Sequence, residues 1–264
     1  MIACFTQTYG NDRFLNMLLL QYDKLANYLR NKCEIIIFSF HNSSTEFKER
    51  YIPLLKKIYD EKKLIVLEHS NISYLQSIRN SILYMRTRNV THILQIQDDQ
   101  HSYNSKENIQ NIKMLDTIFE FVNRHKPLLL HIFLNEGDPK INRLQYYEKK
   151  TIDNVNYYKY NSMDFKKAKI YSWNDGTYIA DIKLLQQMFF IKRLPENVWG
   201  LEMRFKYLFD RFRIYRWGID KVIFGASNIY GKNINKGLSV EDNLKRFFGE
   251  LDEWNIIKQK INHK

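Results

Sequence analysis

The chain has 264 residues, of which 44% are hydrophobic and 15% aromatic; this composition excludes an intrinsically disordered protein. The formal net charge of +12 favours anionic partners such as nucleotide phosphates, nucleic acid or acidic lipid surfaces. There are two cysteines, no signal peptide and no apolar run of the ~20 residues that span a membrane. We therefore expect a cytoplasmic protein, and the Lys- and Asn-rich composition is compatible with a viral protein made in the host cytosol.

Short apolar segments alternate with amphipathic helices through the first half of the chain. Strands are predicted at residues 2–8, 34–40, 64–68, 92–97 and 128–134, and helices at residues 12–30, 45–59, 73–86 and 106–124. This alternation predicts a parallel sheet covered by helices on both faces. Ligands of such sheets bind beyond the carboxyl ends of the strands, so polar residues at those ends are candidate site residues.

The second half of the chain is less regular. Residues 137–171 are polar and rich in Tyr and Lys, which predicts loops and short antiparallel strands. A turn at 173–176 leads into a further strand, and helices are predicted at 182–190 and 201–212. Ser239 and Asp242 form a capping-box pattern that opens a final helix. Without a repeat or a flexible linker, the pattern indicates a single domain spanning residues 1–264, with a less regular second half.

Two adjacent carboxylates, Asp98 and Asp99, directly follow the predicted strand at residues 92–97, and His101 comes shortly after them. Carboxylates at such a strand end are typical ligands of Mg²⁺ or Mn²⁺, which also bind substrate phosphates. Side chains alternate along an extended chain, so Asp99 and His101 share a side and are the candidate metal ligands. Asp98 faces the other way. The alternative, a helix cap or a hydrated strand end, stays open.

Glycine usage excludes two common nucleotide-binding folds. Gly10 is the only glycine before Gly137, so no G-x-G-x-x-G turn follows the first strand. The segment from Gly225 to Lys232 has the wrong spacing for a Walker A loop and ends without Ser or Thr. Both a Rossmann dehydrogenase and a P-loop enzyme are therefore disfavoured.

Five polar segments occur along the chain in a characteristic order. They are Thr6-Gln7-Thr8-Tyr9 at the end of the first strand, His41-Asn42-Ser43-Ser44-Thr45-Glu46 after the second, Arg79-Asn80 on the third helix, Gln97-Asp98-Asp99 at the end of the fourth strand, and Trp199-Gly200-Leu201-Glu202 in the second half. Their order and spacing resemble GT-A-fold nucleotide-sugar glycosyltransferases, especially those of the family 2 type. The resemblance implies an α/β fold of GT-A (Rossmann-like) type, with a mainly parallel sheet flanked by helices and a mixed acceptor half.

The same resemblance implies different functions for different parts of the chain. Residues 1–135 would bind the nucleotide sugar, 136–238 would form the acceptor-binding half, and 239–264 a C-terminal helix. A UDP-sugar is the expected donor and a glycan or other hydroxyl the expected acceptor. The ion would be Mn²⁺ or Mg²⁺, held by Asp99 and His101. Donor contacts would come from Thr6, Gln7, Thr8, Tyr9, Asn42, Arg79 and Asp98.

Glu202 is the candidate catalytic base of an inverting sugar transfer, because that reaction needs a carboxylate near the acceptor hydroxyl. It would open a helix, where the dipole favours its ionised form; stabilisation of the helix alone is the alternative. Trp199 is expected to pack on a sugar ring. Asn174 and Asp175 would bind acceptor hydroxyls or merely form the turn before Gly176.

Two features depart from the family pattern. Asn42, with His41, stands where these enzymes commonly offer a carboxylate to the nucleobase. Many relatives bind the metal with a late histidine, but the only histidine after residue 131 is His263. Asn228 could replace it, or the ion could rely on Asp99 and the donor.

Two other functions remain open from the sequence. A nucleotidyltransferase would share the sheet, the metal and the nucleotide, but it needs a basic glycine-containing loop near the N-terminus. A non-enzymatic protein binding nucleic acid or an acidic membrane would explain the charge. No nucleic-acid-binding signature is present, so a nucleic acid partner is not expected, whereas peripheral membrane contact stays open. The oligomeric state is not determined by the sequence.

Overall fold

The structure is a computed structural model. It describes residues 1–8, 24–98, 100–102, 108–131, 146–152, 155–160, 177–197, 200–201, 204–205, 216–219 and 224–226.

Strands and helices alternate along the first half of the chain. In chain order the described elements are β1 (Ile2–Thr8), α1 (Lys24–Lys32), β2 (Ile35–His41), α2 (Thr45–Ile58), β3 (Leu64–His69), α3 (Tyr74–Thr87), β4 (His92–Gln95), β5 (Gln100–Ser102), α4 (Asn108–His125), β6 (Leu129–His131), β7 (Tyr146–Ile152), β8 (Val155–Tyr160), β9 (Tyr178–Asp181), α5 (Ile182–Phe189), β10 (Arg216–Ile219) and β11 (Phe224–Ala226).

Nine of these strands form one sheet in the order β3-β2-β1-β4-β9-β6-β10-β8-β7. The strands β3, β2, β1 and β4 are parallel to one another, as the alternating pattern predicts. β9 lies antiparallel between β4 and β6, and β8 and β7 form an antiparallel hairpin beyond β10. The predicted α/β class with a mixed second half is confirmed. Strands from residues 1–135 and 136–238 share this sheet, while the functional division between them stays a prediction.

Helices cover both faces of the sheet because side chains of the buried strands alternate between two cores. Cys4 of β1 packs in the core formed with α1, α2 and α4. Phe5, the next residue, packs in the core formed with α3 and α5. Every residue of β1 and β2 is buried, so these strands lie at the centre of the fold and hold their carboxyl ends rigidly.

Local capping explains where several helices begin. The Ser73 hydroxyl accepts a hydrogen bond from the Gln76 amide at 3.1 Å and starts α3. The Asp181 carboxylate accepts from the amides of Lys183 and Leu184 and turns β9 directly into α5. Both helices begin within a residue of the predicted positions.

Some boundaries differ from the sequence-based expectations. β4 ends at Gln95, before its predicted end at residue 97, and β6 is described as Leu129–His131, with residues 132–134 of the predicted strand outside the described residues. The predicted helix at 12–30 is described from Lys24 onward, and the final helix at 239–264 lies outside the described residues. No helix in the described ranges combines the length and the apolarity that crossing a membrane requires.

Candidate functional site

The carboxyl ends of β2, β1 and β4 are neighbours in the sheet, and polar residues stand at each of them. β1 ends at Thr8, which pairs with Phe40 one residue before the end of β2. On its other side β1 pairs with β4, and the chain beyond β4 continues to Asp98. The structure therefore brings together the ends of these strands, which the sequence pattern singles out separately.

Thr6, Gln7 and Thr8 are the last three residues of β1 and are all buried, so they lie within the strand rather than in a loop after it. The Gln7 side-chain amide donates to the Ser77 hydroxyl of α3. Thr6 Oγ1 and Gln7 Oε1 have no hydrogen-bond partner among the described residues. A buried polar atom without a partner is costly, which makes these two atoms candidates for a bound water or ligand.

A buried polar network connects the strand ends to α3, and the sequence analysis missed it. Ser77 Oγ donates to the Tyr74 carbonyl at 2.8 Å, and Ser81 Oγ donates to the Ser77 carbonyl at 2.9 Å. Ser81 also contacts Ser39 of β2 at 3.3 Å and His69 Nε2 at 3.4 Å. The signal in the sequence is the pair of serines four residues apart on one helix face. The network fixes the start of α3 against the sheet.

Burial lowers the pKa of His69, and the nearby His41 lowers it further through charge repulsion. Both histidines lie at the carboxyl ends of neighbouring strands, where they face each other in the pairing of β2 with β3. The lowered pKa favours the neutral form of His69 at this edge of the sheet.

Asn42 clamps the loop between β3 and α3. Its side-chain amide donates to the Ile72 carbonyl at 2.9 Å, and its side-chain oxygen accepts from the Ile72 amide at 3.4 Å. His41 Nε2 donates to the same carbonyl at 2.8 Å. Asn42 has a left-handed backbone with φ 48°, a conformation that asparagine tolerates better than most residues. These contacts give Asn42 a structural role beside the predicted donor contact, which stays a prediction.

Arg79 joins α3 to the end of α5. Its Nε donates to the Phe189 carbonyl at 2.7 Å and its Nη2 to the Ile191 carbonyl at 3.1 Å. Both carbonyls lie at or just beyond the C-terminus of α5, where a cation is favourable. The guanidinium also lies 5.8 Å from the centre of the Phe190 ring. These bonds engage the guanidinium structurally, and the predicted donor contact of Arg79 stays a prediction.

Asp98 lies in a turn after β4 and is only 3% exposed. The chain then forms β5, which pairs antiparallel with β11 so that His101 lies opposite Gly225. This short ribbon brings the segment after the acidic pair next to a segment more than a hundred residues later. The described ranges contain no cluster of three or more His, Cys, Asp or Glu side chains that could hold a metal ion. Asp99 lies outside them.

A cavity of about 20 Å³ lies between the sheet and the helices α3 and α5. Two glutamines, Gln7 and Gln95, and two tyrosines, Tyr74 and Tyr178, line it, and the remaining walls are apolar. This volume suits about one water molecule and is far below the ~300 Å³ at which ligand pockets begin. It therefore offers a place for a water bound to Gln7 but none for a nucleotide.

The segment around Gly200 begins a helix. Gly200 N donates to Asn197 Oδ1 at 2.7 Å, and Leu201 N donates to the Asn197 carbonyl at 3.1 Å. A Cβ atom on Gly200 would lie 2.5 Å from Cβ of Pro195, so a close approach of the backbone requires glycine here. Leu201 and Phe205 are buried, and the Phe205 ring contacts the Phe189 ring at 5.0 Å. Residues 200–201 and 204–205 are helical, near the predicted start of the helix at 201–212.

The remaining predicted site residues, Tyr9, Asn174, Asp175, Trp199 and Glu202, lie outside the described residues, as does Asn228. Their neighbours Thr8, Thr177, Gly200 and Leu201 are described. β9 begins at Tyr178, which pairs with Gln95, the last residue of β4. Thr177 and Tyr178 therefore lie beside the carboxyl end of β4.

Comparisons with known proteins identify the fold. Neither a protein-family profile nor a curated protein sequence matches the chain. Among solved structures, the chain is similar to residues 1–349 of TarS from S. aureus, a family 2 glycosyltransferase, at 14% identity and a TM-score of 0.51. That alignment covers 95% of this chain and 72% of the TarS fragment. A longer TarS structure matches at 13% identity and a TM-score of 0.50, and the chain covers 42% of it.

A second kind of enzyme has a comparable likeness. A structure described as a glucose-1-phosphate thymidylyltransferase from Bacillus anthracis matches at 10% identity and a TM-score of 0.50, over 86% of this chain and 89% of that one. Likeness at such identities shows the fold alone. The chain has the GT-A-like fold of transferases that use nucleotide sugars, and the predicted fold resemblance is confirmed.

Proposed function

We propose that the protein is a metal-dependent glycosyltransferase that moves a sugar from a nucleotide diphosphate sugar, with UDP as the expected nucleotide, to a hydroxyl acceptor with inversion. The observation that carries the proposal is the meeting of three polar strand ends at one sheet edge: those of β1, β2 and the segment after β4. Their order is the one in which GT-A-type enzymes place the donor site. The net charge of +12 is in keeping with a diphosphate donor.

The acidic segment after β4 suits a divalent cation in its chemistry. Asp99 and His101 are the proposed metal ligands, and Asp98, in the turn beyond β4, precedes them in the chain. Hard cations take one or two carboxylates together with the oxygens of substrate phosphates, so a three-ligand protein cluster is not needed. When bound, Mn²⁺ or Mg²⁺ would neutralise the negative charge that builds on the leaving diphosphate.

In this proposal the residues of the chain bind and orient the two substrates. Asp99 and His101 would hold the cation, which would supply positive charge for the donor diphosphate, and Asp98 would bind the ribose. Thr6, Gln7, Thr8, Tyr9 and Asn42 line the nucleoside side, and Arg79 approaches the donor from α3.

Glu202 takes the proton of the acceptor hydroxyl as the hydroxyl oxygen attacks the anomeric carbon, and the bond from that carbon to the nucleoside diphosphate breaks. Glu202 follows the helical residue Leu201 in the sequence, and a position near the start of a helix would favour its ionised carboxylate. Trp199, Asn174 and Asp175 bind the acceptor, a glycan or other hydroxyl compound.

The test is a thermal-shift screen of UDP-, GDP-, dTDP- and CMP-sugars, each with and without Mn²⁺. Wild type is compared with Asp99→Asn and with the control Glu61→Gln, an exposed acid at the opposite edge of the sheet. The proposal expects a stabilisation by one nucleotide class that needs Mn²⁺, is lost in Asp99→Asn and persists in the control. Stabilisation that is independent of metal, or unaffected by Asp99→Asn, would remove Asp99 from the site.

A nucleotidyltransferase acting on a sugar phosphate is the second candidate, favoured by the likeness to the thymidylyltransferase. The two reactions differ in their products. Incubation with a nucleoside triphosphate and a sugar 1-phosphate releases pyrophosphate only in the second case. The glycosyltransferase is supported if the protein transfers sugar from the identified donor, and if Glu202→Gln loses this transfer but still binds the donor. Pyrophosphate release would instead identify the protein as a nucleotidyltransferase.

A further inference from the structure

An outward-facing concave surface between α3 and the end of α5 combines apolar and basic side chains. We call this the docking surface and define it by Arg79, Leu83, Phe190, Ile191, Lys192 and Arg193. It encloses about 450 Å³, and no acidic side chain lines it among the residues that the structure describes. Apart from Arg79, its residues are not among those proposed to bind the donor or the acceptor.

Two large apolar side chains on this surface are unusually open to solvent. Leu83 is 45% exposed and Phe190 is 38% exposed. Within the described part of the chain, they are two of four large hydrophobic residues with such exposure, and they line the same concavity. Apolar residues clustered on a surface commonly mark an interaction site.

The turn that carries Phe190 is held in place rather than left loose. Arg79 donates to the carbonyls of Phe189 and Ile191, on either side of Phe190. The Phe190 amide donates to the Gln186 carbonyl at 3.1 Å, and Leu194 after the turn is buried. Arg193 has a left-handed backbone with φ 60°, which turns the chain sharply between exposed and buried residues. The ring is therefore presented in a fixed position.

The charge of the surface selects among possible occupants. Lys192 and Arg193 are exposed beside Phe190, and Arg79 adds a third cation. Surfaces that bind the headgroup region of an acidic bilayer commonly combine exposed aromatic and aliphatic side chains with neighbouring cations, as this surface does. An uncharged protein partner would leave the three cations unmatched.

We propose that the docking surface binds the protein peripherally to membranes that contain anionic phospholipids, with Phe190 and Leu83 entering the headgroup region and Lys192 and Arg193 contacting lipid phosphates. α3 starts at the carboxyl-end edge of the sheet and α5 runs back toward that edge from β9. Docking would therefore bring the candidate site close to the membrane. The contact does not depend on which reaction the protein performs.

The test is co-sedimentation with vesicles of phosphatidylcholine alone and of phosphatidylcholine mixed with phosphatidylserine. Wild type should bind the acidic vesicles and release them at high salt. Lys192→Gln/Arg193→Gln should bind roughly 30-fold more weakly, since each cation contributes about fivefold. The matched control is Lys56→Gln/Lys57→Gln, which removes two exposed cations from α2 on the opposite face of the sheet and should bind like wild type.

A second measurement tests the apolar part. Phe190→Ala should weaken binding roughly tenfold, given the exposed area of the ring. Phe190→Trp should retain binding and gain fluorescence quenching by brominated lipids beyond that of wild type. This second variant keeps the proposal testable if Phe190→Ala folds poorly.

Three results would overturn the proposal. The first is an absence of binding to acidic vesicles at low salt. The second is an equal loss in the α2 control, which would mean that net charge alone drives binding. The third is binding to an oligonucleotide in preference to vesicles, lost in Lys192→Gln/Arg193→Gln, which would assign the surface to nucleic acid.

Discussion

Replacing Arg79 by alanine distinguishes a structural role of this residue from the donor contact that the resemblance implies. The guanidinium donates to two backbone carbonyls, at 2.7 and 3.1 Å, at the C-terminal end of α5. A hydrogen bond to a charged group contributes about 1.5–3 kcal/mol when it is buried. Arg79 is half-buried, so solvent screening reduces this contribution, and we expect a total loss of about 2 kcal/mol on truncation.

That loss is measurable in two ways. For a chain of this size about 2 kcal/mol corresponds to a fall in Tm of roughly 4–6 °C, and urea denaturation should show a lower midpoint with an unchanged slope. Arg79→Lys keeps the charge, but a single ammonium group cannot reproduce the two-pronged contact, so it should lose about half as much. The control Arg86→Ala, exposed on the same helix, should change stability by less than ~0.5 kcal/mol.

Donor binding is measured on the same variants. If the role of Arg79 is structural, donor affinity of the folded protein should fall little in Arg79→Ala. Unchanged stability combined with abolished donor binding would refute the structural reasoning and assign the guanidinium to the donor phosphates.

Two further predictions concern packing and protonation. Gly200→Ala should lower the free energy of unfolding by about 1–3 kcal/mol in urea titrations, because the added Cβ would lie 2.5 Å from Pro195 Cβ; an unchanged midpoint would contradict this close approach. Burial lowers the pKa of His92, although the Asp181 carboxylate and the Pro127 carbonyl partly oppose the effect. The folded state therefore binds this proton less readily than the unfolded state. Stability should be full above the unfolded pKa of about 6.5 and fall as the pH drops below it. Urea titrations between about pH 7 and 5 should show a shallower fall in His92→Gln than in wild type, and equal slopes would exclude His92 as a source.

The sequence by itself determined the local elements and their alternation. The apolar runs that became β1 and β2, and the Ser73 cap of α3, act over a few residues, so their effect is visible in the sequence. Strands alternating with helices then restrict the first half to a parallel sheet with covered faces. For the same reason Asp98 could be predicted to lie near the carboxyl end of β4, and it is found in the turn beyond that strand.

Only the tertiary structure decided which distant segments meet. The four-residue strand β9 contains no signal that it lies antiparallel between β4 and β6. The hydrogen-bond partner of Gln7 is 70 residues away in the sequence, and that of Arg79 is 110 residues away. β5 likewise pairs with β11, more than 100 residues later. Such pairings are set by how the whole core packs, because no periodicity or cap in a short segment encodes its neighbour. The polar strand ends could therefore be identified from the sequence, whereas the contacts around them could not.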